Sequence, residues 1–278
     1  MEQGVCPALF IYIFRCLLMD LSIIIPTHNR LTELKRLLNS ILRLKLQNYE
    51  IIIIDNASDE QTQNYLQSFK KLHNNIVTLV FKTPTTNPGL SRGIGIHIAS
   101  GKYIYCCDSD DELAPEFVDC VKYALNTQLP IVQFCHQVIH IGDEKRNNIG
   151  VPYGGRFVPN KTVIYNSYNL HELKVWIQMW NKLIRRELFD GVKFYDCAHE
   201  DSKVMVQVLD SHPDVTVISK VGYIHYCDQT QSLQHVKRPA DETKHLNALR
   251  DVLQYHQFKT KFGREWAENS NKRLKNVK

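Results

Sequence analysis

Apolar residues fall into two rhythms along this chain. Leu21-Ser22-Ile23-Ile24-Ile25-Pro26 and the run from Tyr49 to Ile54 are short and almost continuously apolar, the first ended by proline. Runs of this kind read as strands buried on both faces. Between them Leu34, Leu37, Leu38, Ile41 and Leu42 recur at the spacing of a helix with one apolar face, with Thr32 as its expected cap. A polar helix over 60–72, a strand over 76–81, a helix from Gly89 through Ile98 stopped by Gly101, and a strand from Tyr103 to Cys107 complete the first half. Strand alternating with helix at this spacing predicts an α/β fold with a mostly parallel, doubly wound sheet flanked by helices.

Beyond Pro115 the alternation loosens. A helix over 115–127 precedes 131–141, whose period-2 character predicts an antiparallel strand turning at Gly142-Asp143. Residues 143–165 are loop-rich in Gly and Pro, and expected helices around 169–178 and 199–210 flank Trp180-Asn181-Lys182-Leu183. A strand over 215–226 closes this half. The organisation expected is an N-terminal extension (1–19), one domain (20–236) divided at 114/115, and an amphipathic tail (237–278).

Composition is that of an ordinary globular chain, 44% hydrophobic and 23% charged, long enough for one large α/β core. The net charge of +5 is uneven: 237–278 holds 11 Lys and Arg against 5 Asp and Glu, and the remainder is near neutral. No spaced Arg/aromatic platform points to nucleic acid as a partner. The eight cysteines form no CxxC pair and no zinc spacing, and several sit in apolar runs, so a reducing, cytoplasmic setting is expected. Residues 5–18 are apolar but short and interrupted by Arg15; with Met19-Asp20 placed just before the first strand, 1–18 is expected to be an upstream extension or a peripheral segment.

The candidate chemistry begins at Cys107-Asp108-Ser109-Asp110-Asp111, where an apolar strand ends in three carboxylates. Open α/β sheets place ligands at the carboxyl edge of their strands. Carboxylates this close repel, and a hard divalent ion completed by substrate phosphates would keep them ionised together. The competing reading is a solvated turn capping the next helix, with Asp111 as N-cap.

Six segments taken in order resemble the family 2 glycosyltransferases, inverting nucleotide-sugar transferases with the GT-A fold. They are Ser22–Arg30, Glu50–Ser58, Gly89–Gly95, Asp108–Asp111, Trp180–Leu183 and His199–Asp201, together spanning about 20–235. The resemblance implies that 20–114 binds the nucleotide and 115–236 the acceptor. It implies that Pro26, Thr27, His28 and Asn29 line the base pocket, and that Asp55 accepts the N3–H of uracil, as a carboxylate can and cytosine's N3 cannot exploit. Arg92 then stands near base and phosphates. Asp108, Ser109 and Asp110 correspond to the DXD signature, with Asp110 ligating Mn²⁺ or Mg²⁺ and Asp108 the ribose or the ion's shell. Asp111 is expected to orient this loop. Asp201 corresponds to the general base, Glu200 positions the acceptor or Asp201, and Trp180 corresponds to an aromatic platform for the acceptor sugar, with packing in the core as its competing reading. Two departures stand out: His28 where the family often has Tyr, and Gly93 where it usually has Asn.

The activity so implied is transfer of a hexose or N-acetylhexosamine from a UDP-sugar to a glycan or lipid-linked saccharide, in bacterial surface polysaccharide or lipooligosaccharide assembly. Rival readings are a sugar nucleotidyltransferase, which would want a Gly-rich basic loop after the first strand, and a degenerate nucleotide-sugar-binding module. His225 reads as an ordinary strand histidine, and the His136/His140 pair, on a strand, as no metal site. The tail, with Leu246, Leu249, Val252, Leu253, Phe258, Phe262 and Trp266 among basic residues, is expected either to pack on the domain or to touch an anionic membrane peripherally.

Overall fold

The computed structural model describes residues 19–85, 87–152, 157–165, 178–212, 214–227 and 239–276. Residues 1–18 and most of the helix expected around 169–178 lie outside them. The first half follows the periodicity closely: β1 (Leu21–Thr27), α1 (Leu31–Arg43), β2 (Tyr49–Asp55), α2 (Glu60–Leu72), β3 (Ile76–Val80), α3 (Gly89–His97) and β4 (Tyr103–Cys106). A short β5 (Glu112–Leu113) leads to α4 (Phe117–Thr127), β6 (Ile131–His140), β7 (Asn148–Gly150), β8 (Thr162–Tyr165) and β9 (Lys182–Arg185). The chain continues through α5 (Glu200–Ser211), β10 (Val215–Cys227), α6 (Pro239–Tyr255) and α7 (Lys261–Asn276).

One sheet of ten strands runs β3-β2-β1-β4-β9-β6-β10-β5, with β7 on β6 and β8 on β10. The first four are mutually parallel. β9 then runs antiparallel to both β4 and β6, and β10 lies parallel to β6. So β6, expected as an antiparallel strand, is antiparallel to β9 and β7 but parallel to its longest neighbour.

Successive strand residues face opposite sides, which explains the continuous apolar runs. Ile23, Ile25, Ile51 and Ile53 pack with Leu34, Leu37, Leu38 and Ile41 of α1, Leu66 of α2 and Phe117 of α4. Ile24, Ile52 and Ile54 face the other way, onto Ile96 of α3 and Val204, Met205, Val208 and Leu209 of α5. Both faces are therefore covered, and each fully buried aliphatic side chain contributes about 1.5–3 kcal/mol. Two local expectations fail. Thr32 does not cap α1, which starts at Leu31 with no side-chain cap, and Asp111 caps no helix, since α4 begins at Phe117 after Glu116.

Instead of a single amphipathic tail, residues 239–276 form two helices packed on α5. Leu246, Ala248, Leu249 and Val252 are buried. Asp210, at the end of α5, accepts bonds from the backbone of Lys259 and Thr260 (2.8 Å each) and lies 2.9 Å from His256 Nε2, pinning the α6–α7 turn. Among the described residues no helix is long and apolar enough to cross a membrane.

Candidate active site

Strand register brings the sequence-predicted residues to one rim. Thr27 pairs with Asp55, Ile24 with Cys106, and Cys107 N–H donates to Ile24 O (2.9 Å). The ends of β1, β2 and β4 thus present Pro26–Asn29, Asp55 and Asp108–Asp111 side by side. His28 Nδ1 lies 2.7 Å from Asn56 O. A carbonyl only accepts, so Nδ1 carries the proton and Nε2 accepts from Asn29 Nδ2 (3.2 Å). Asn29, in the left-handed region at φ 52°, binds Ser58 Oγ through its N–H and Asp59 N–H through its Oδ1, tying the β1 loop to the β2 loop.

Asp55 is fully buried. Its Oδ1 accepts from Ser58 N–H (3.2 Å), which is the local turn bond, while Oδ2 has no partner among the described residues, nor has Thr27 Oγ1. Buried polar atoms are nearly always satisfied. Two bonds between Asn56 and Thr85 (3.0 and 2.7 Å) hold the loop after β3 beside this rim.

Arg92 is the hub. From α3 its Nη2 donates to Asp108 Oδ1 (2.6 Å) and its Nη1 to Glu200 Oε1, with both Arg92 and Glu200 buried. Burial works against the guanidinium's charge, but the carboxylates of Asp108 and Asp201 more than offset it, so Arg92 is held firmly protonated. Glu200 therefore anchors Arg92 rather than reaching toward an acceptor. α3 can come this close because Gly89 and Gly93 lack side chains: a Cβ on Gly93 would sit 2.7 Å from Phe194, and one on Gly89 would strike Tyr195 O. The departure at Gly93 thus has a steric cause, since Phe194 occupies the space an Asn would need.

Asp110 faces Arg30 (Nη1–Oδ2, 2.8 Å), and Arg36 donates to its backbone carbonyl. Burial, then the neighbouring Asp111 and Asp108, push the Asp110 carboxyl up to about 6 despite Arg30. Ser109 is buried between them. Asp111 takes the loop-orienting role: it is buried and accepts from Tyr223 OH (2.6 Å) and Tyr226 N–H (2.7 Å), with His225 Nδ1 at 3.2 Å. His225 is thereby raised in pKa, its burial being outweighed by the Asp111 bond and the acidic loop. The strand-histidine reading missed this, and only the tertiary pairing of β10 with β5 reveals it.

Asp201 follows Glu200 in the first turn of α5. Burial raises its pKa and Asp108 adds to that, while Arg92 and His199 pull it down. A half-buried carboxylate with a raised pKa beside a cluster of charges is what proton abstraction near neutrality calls for. His199 before the pair adopts φ 54°, a left-handed conformation uncommon for a residue with a side chain. Lys182, wholly buried, donates to Gln178 O and Asn181 Oδ1 (2.8 Å each), and burial lowers it to about 7 while Asp201 pulls it back up.

Trp180 departs from its expected role. It is 8% exposed, stacked on Tyr223 (centroids 4.9 Å) and His225 (5.3 Å) with His136 edge-on, so it supports the acidic loop from within the core rather than offering a face to a sugar. Among the described residues no three His, Cys, Asp or Glu side chains form a ready-made cation site. Asp108 and Asp110 fit a hard divalent ion as an all-oxygen pair whose crowding a cation relieves, the remaining ligands coming from phosphate and water.

The sequence pattern described as Glycosyl transferase family 2 matches residues 22–199. Glycosyltransferase GlyA of Streptococcus pneumoniae is 24% identical over 181 residues, 63% of this chain and 25% of GlyA. The poly(ribitol-phosphate) beta-glucosyltransferase of Bacillus spizizenii is 33% identical over 100 residues, 35% of this chain and 16% of that protein. The chain thus spans no more than about a quarter of either relative. Among solved structures, Staphylococcus aureus TarS 1-349 in complex with UDP-GlcNAc superposes with a TM-score of 0.69 at 15% identity, covering 92% of this chain and 70% of that one. GalNAc-T7 with UDP, GalNAc and Mn²⁺ gives 0.63 at 16%, covering 94% and 52%. These likenesses show the GT-A fold. With the matched stretch covering well over half its length, the chain belongs to glycosyl transferase family 2.

Proposed function

We propose that this glycosyltransferase moves a hexose or N-acetylhexosamine from a UDP-sugar to a hydroxyl of a glycan or lipid-linked saccharide, with inversion, in bacterial surface polysaccharide or lipooligosaccharide assembly. One observation carries the reading: Arg92 joins Asp108 of the β4 rim to Glu200, one residue from Asp201, so carboxylates from distant segments meet around one cation. The complexes of TarS with UDP-GlcNAc and of GalNAc-T7 with UDP, GalNAc and Mn²⁺ support the donor class.

In this reading the unpartnered Asp55 Oδ2 accepts uracil N3–H, and His28, fixed through Nδ1, flanks the base. Asp108 and Asp110 would hold Mn²⁺ or Mg²⁺, which when bound stabilises charge on the departing diphosphate. Arg92 orients Asp108 through its 2.6 Å bond to Oδ1. Asp201 takes the proton of the acceptor hydroxyl as its oxygen attacks the anomeric carbon from the face opposite the leaving group. Peripheral contact with a cytoplasmic membrane face would fall to the basic, exposed side of α7, since the apolar side of α6 is packed on α5.

Incubation with a panel of UDP-sugars and saccharide acceptors, with and without Mn²⁺, tests this. UDP release with product of inverted configuration is expected, and Asp201→Asn should lower it about 10²–10⁴-fold while UDP affinity is kept. Pyrophosphate formation, or binding without turnover, would overturn it.

A further inference from the structure

The segment 193–203, which carries Glu200 and Asp201, is held mainly by residues beyond the matched family region of 22–199. From α6, Asp251 Oδ2 accepts from Tyr195 OH (2.7 Å) and faces Lys193 Nζ (3.3 Å). Also from α6, Lys244 Nζ donates to Asp196 Oδ2 (2.8 Å). His245 Nδ1 lies 2.6 Å from Lys203 Nζ and 2.9 Å from Ala198 O. The fully buried Lys203 in turn donates to Ala198 O and His199 O (3.0 Å each), the carbonyls flanking the left-handed turn at His199. Residues that sit in sparsely populated backbone regions persist only where their surroundings over-determine them. Here α6 and Lys203 supply that surrounding.

Asp196 has a second contact. Its Oδ1 accepts from Asn87 N–H (2.7 Å), two residues before Gly89 opens α3. The same loop is bonded at Thr85 to Asn56, next to Asp55. Thr85 Oγ1 also donates to Asn87 O (3.0 Å), so a bonded path runs from the end of β2, through Thr85 and Asn87, to Asp196 and on to α6. Its two ends are the proposed base-reading rim and the helix that braces Asp201.

We propose that α6 is a brace for the segment bearing Asp201, and that Asp196, gripped by Lys244, is the positioning residue that locks this segment to Asn87, ahead of α3. The proposal rests on the reading of Asp201 as base, but the lock itself is a statement about structure. The Lys244–Asp196 pair is partly exposed, so its contribution to global stability is small. What it sets is register: with Lys244 gone, Asp196 loses the restraint that ties it to α6, and the loops can part.

Three full-length variants test this: Lys244→Ala, Lys244→Arg and Asp196→Asn. Hydrogen exchange of the peptide containing Asn87 should rise several-fold in Lys244→Ala and Asp196→Asn, with melting temperature nearly unchanged, and return toward normal in Lys244→Arg. In transfer assays, Lys244→Ala and Asp196→Asn should lower kcat about tenfold with donor KM altered less than threefold. Their double variant should be no worse than the poorer single one. Unchanged exchange at Asn87, or a loss shared equally by kcat, donor KM and melting temperature, overturns the brace. Absence of UDP-sugar turnover in the parent protein would instead sink the functional reading, while the exchange measurement still judges the lock.

Discussion

The β1–β4 half and the β9–β10 half build their parts of the site by different means. In the first, each functional side chain stands at the end of a strand whose neighbours are fixed by parallel register, Thr27 beside Asp55 and Ile24 beside Cys106. Position follows from secondary structure alone. In the second, Asp201 sits in a segment with little regular structure before it, and its place is set by Arg92 and α6, both far away along the chain, together with the adjacent Lys203. The rim is rigid by construction, whereas the Asp201 segment is rigid by assembly, so substitutions distant in sequence should matter more for the second.

Arg92 joins the two halves, and replacing it should produce the largest change in stability. Arg92→Ala leaves Glu200 buried without its cation and frees Asp108; removing one partner of a buried pair costs about 3–5 kcal/mol. Urea unfolding measures this, and a loss below about 1 kcal/mol would mean the halves do not depend on the link. Trp180 comes next. A sugar platform would lower acceptor affinity and leave the fold intact when removed. Trp180→Ala is instead expected to destabilise by about 3 kcal/mol, because a ring packed on Tyr223 and His225 leaves a cavity. An acceptor KM raised tenfold with an unchanged melting temperature would restore the platform.

The smallest effect is one of pH and belongs to the rim. Asp110 has its carboxyl raised to about 6 by burial and by Asp111 and Asp108, so protons compete with a cation for it below that value. Affinity for UDP with Mn²⁺ should fall about tenfold between pH 7 and pH 5, since each pH unit below a pKa removes a factor of ten in ionised carboxylate. Stability has the opposite dependence. The folded form holds this proton more tightly than the unfolded chain, whose carboxyl titrates near 3.8. The contribution of Asp110 is therefore greatest at the acid end and is lost as pH rises toward 6. Calorimetry of UDP and Mn²⁺ binding across that range, repeated on Asp110→Asn, separates the two.

The same contrast explains what the sequence disclosed. β1, β2 and β4 were legible because coverage on both faces leaves an unbroken apolar run, and Asp55 and Asp108–Asp110 because each follows such a run directly. Arg30 lay in plain view after His28-Asn29, yet its pairing with Asp110 spans 80 residues and has no local signal. Local periodicity also says nothing of strand order, so the insertion of β9 between β4 and β6 was hidden, and with it the parallel pairing of β6 and β10. Thr32 resembled a cap, but the left-handed turn at Asn29 already fixes the chain's entry into α1. Trp180 followed the family pattern, while its stacking depends on β10, whose residues Tyr223 and His225 arrive more than 40 positions later. The tail's apolar face was visible, but the surface it covers was not.

Asp55 carries a consequence beyond recognition. One of its oxygens is buried with no hydrogen-bond partner among the described residues, and a donor to a buried carboxylate contributes about 1.5–3 kcal/mol. A ligand N–H that reaches that oxygen would stabilise the fold as well as bind. Under the proposed reading, UDP binding would raise resistance to unfolding as well as load the enzyme.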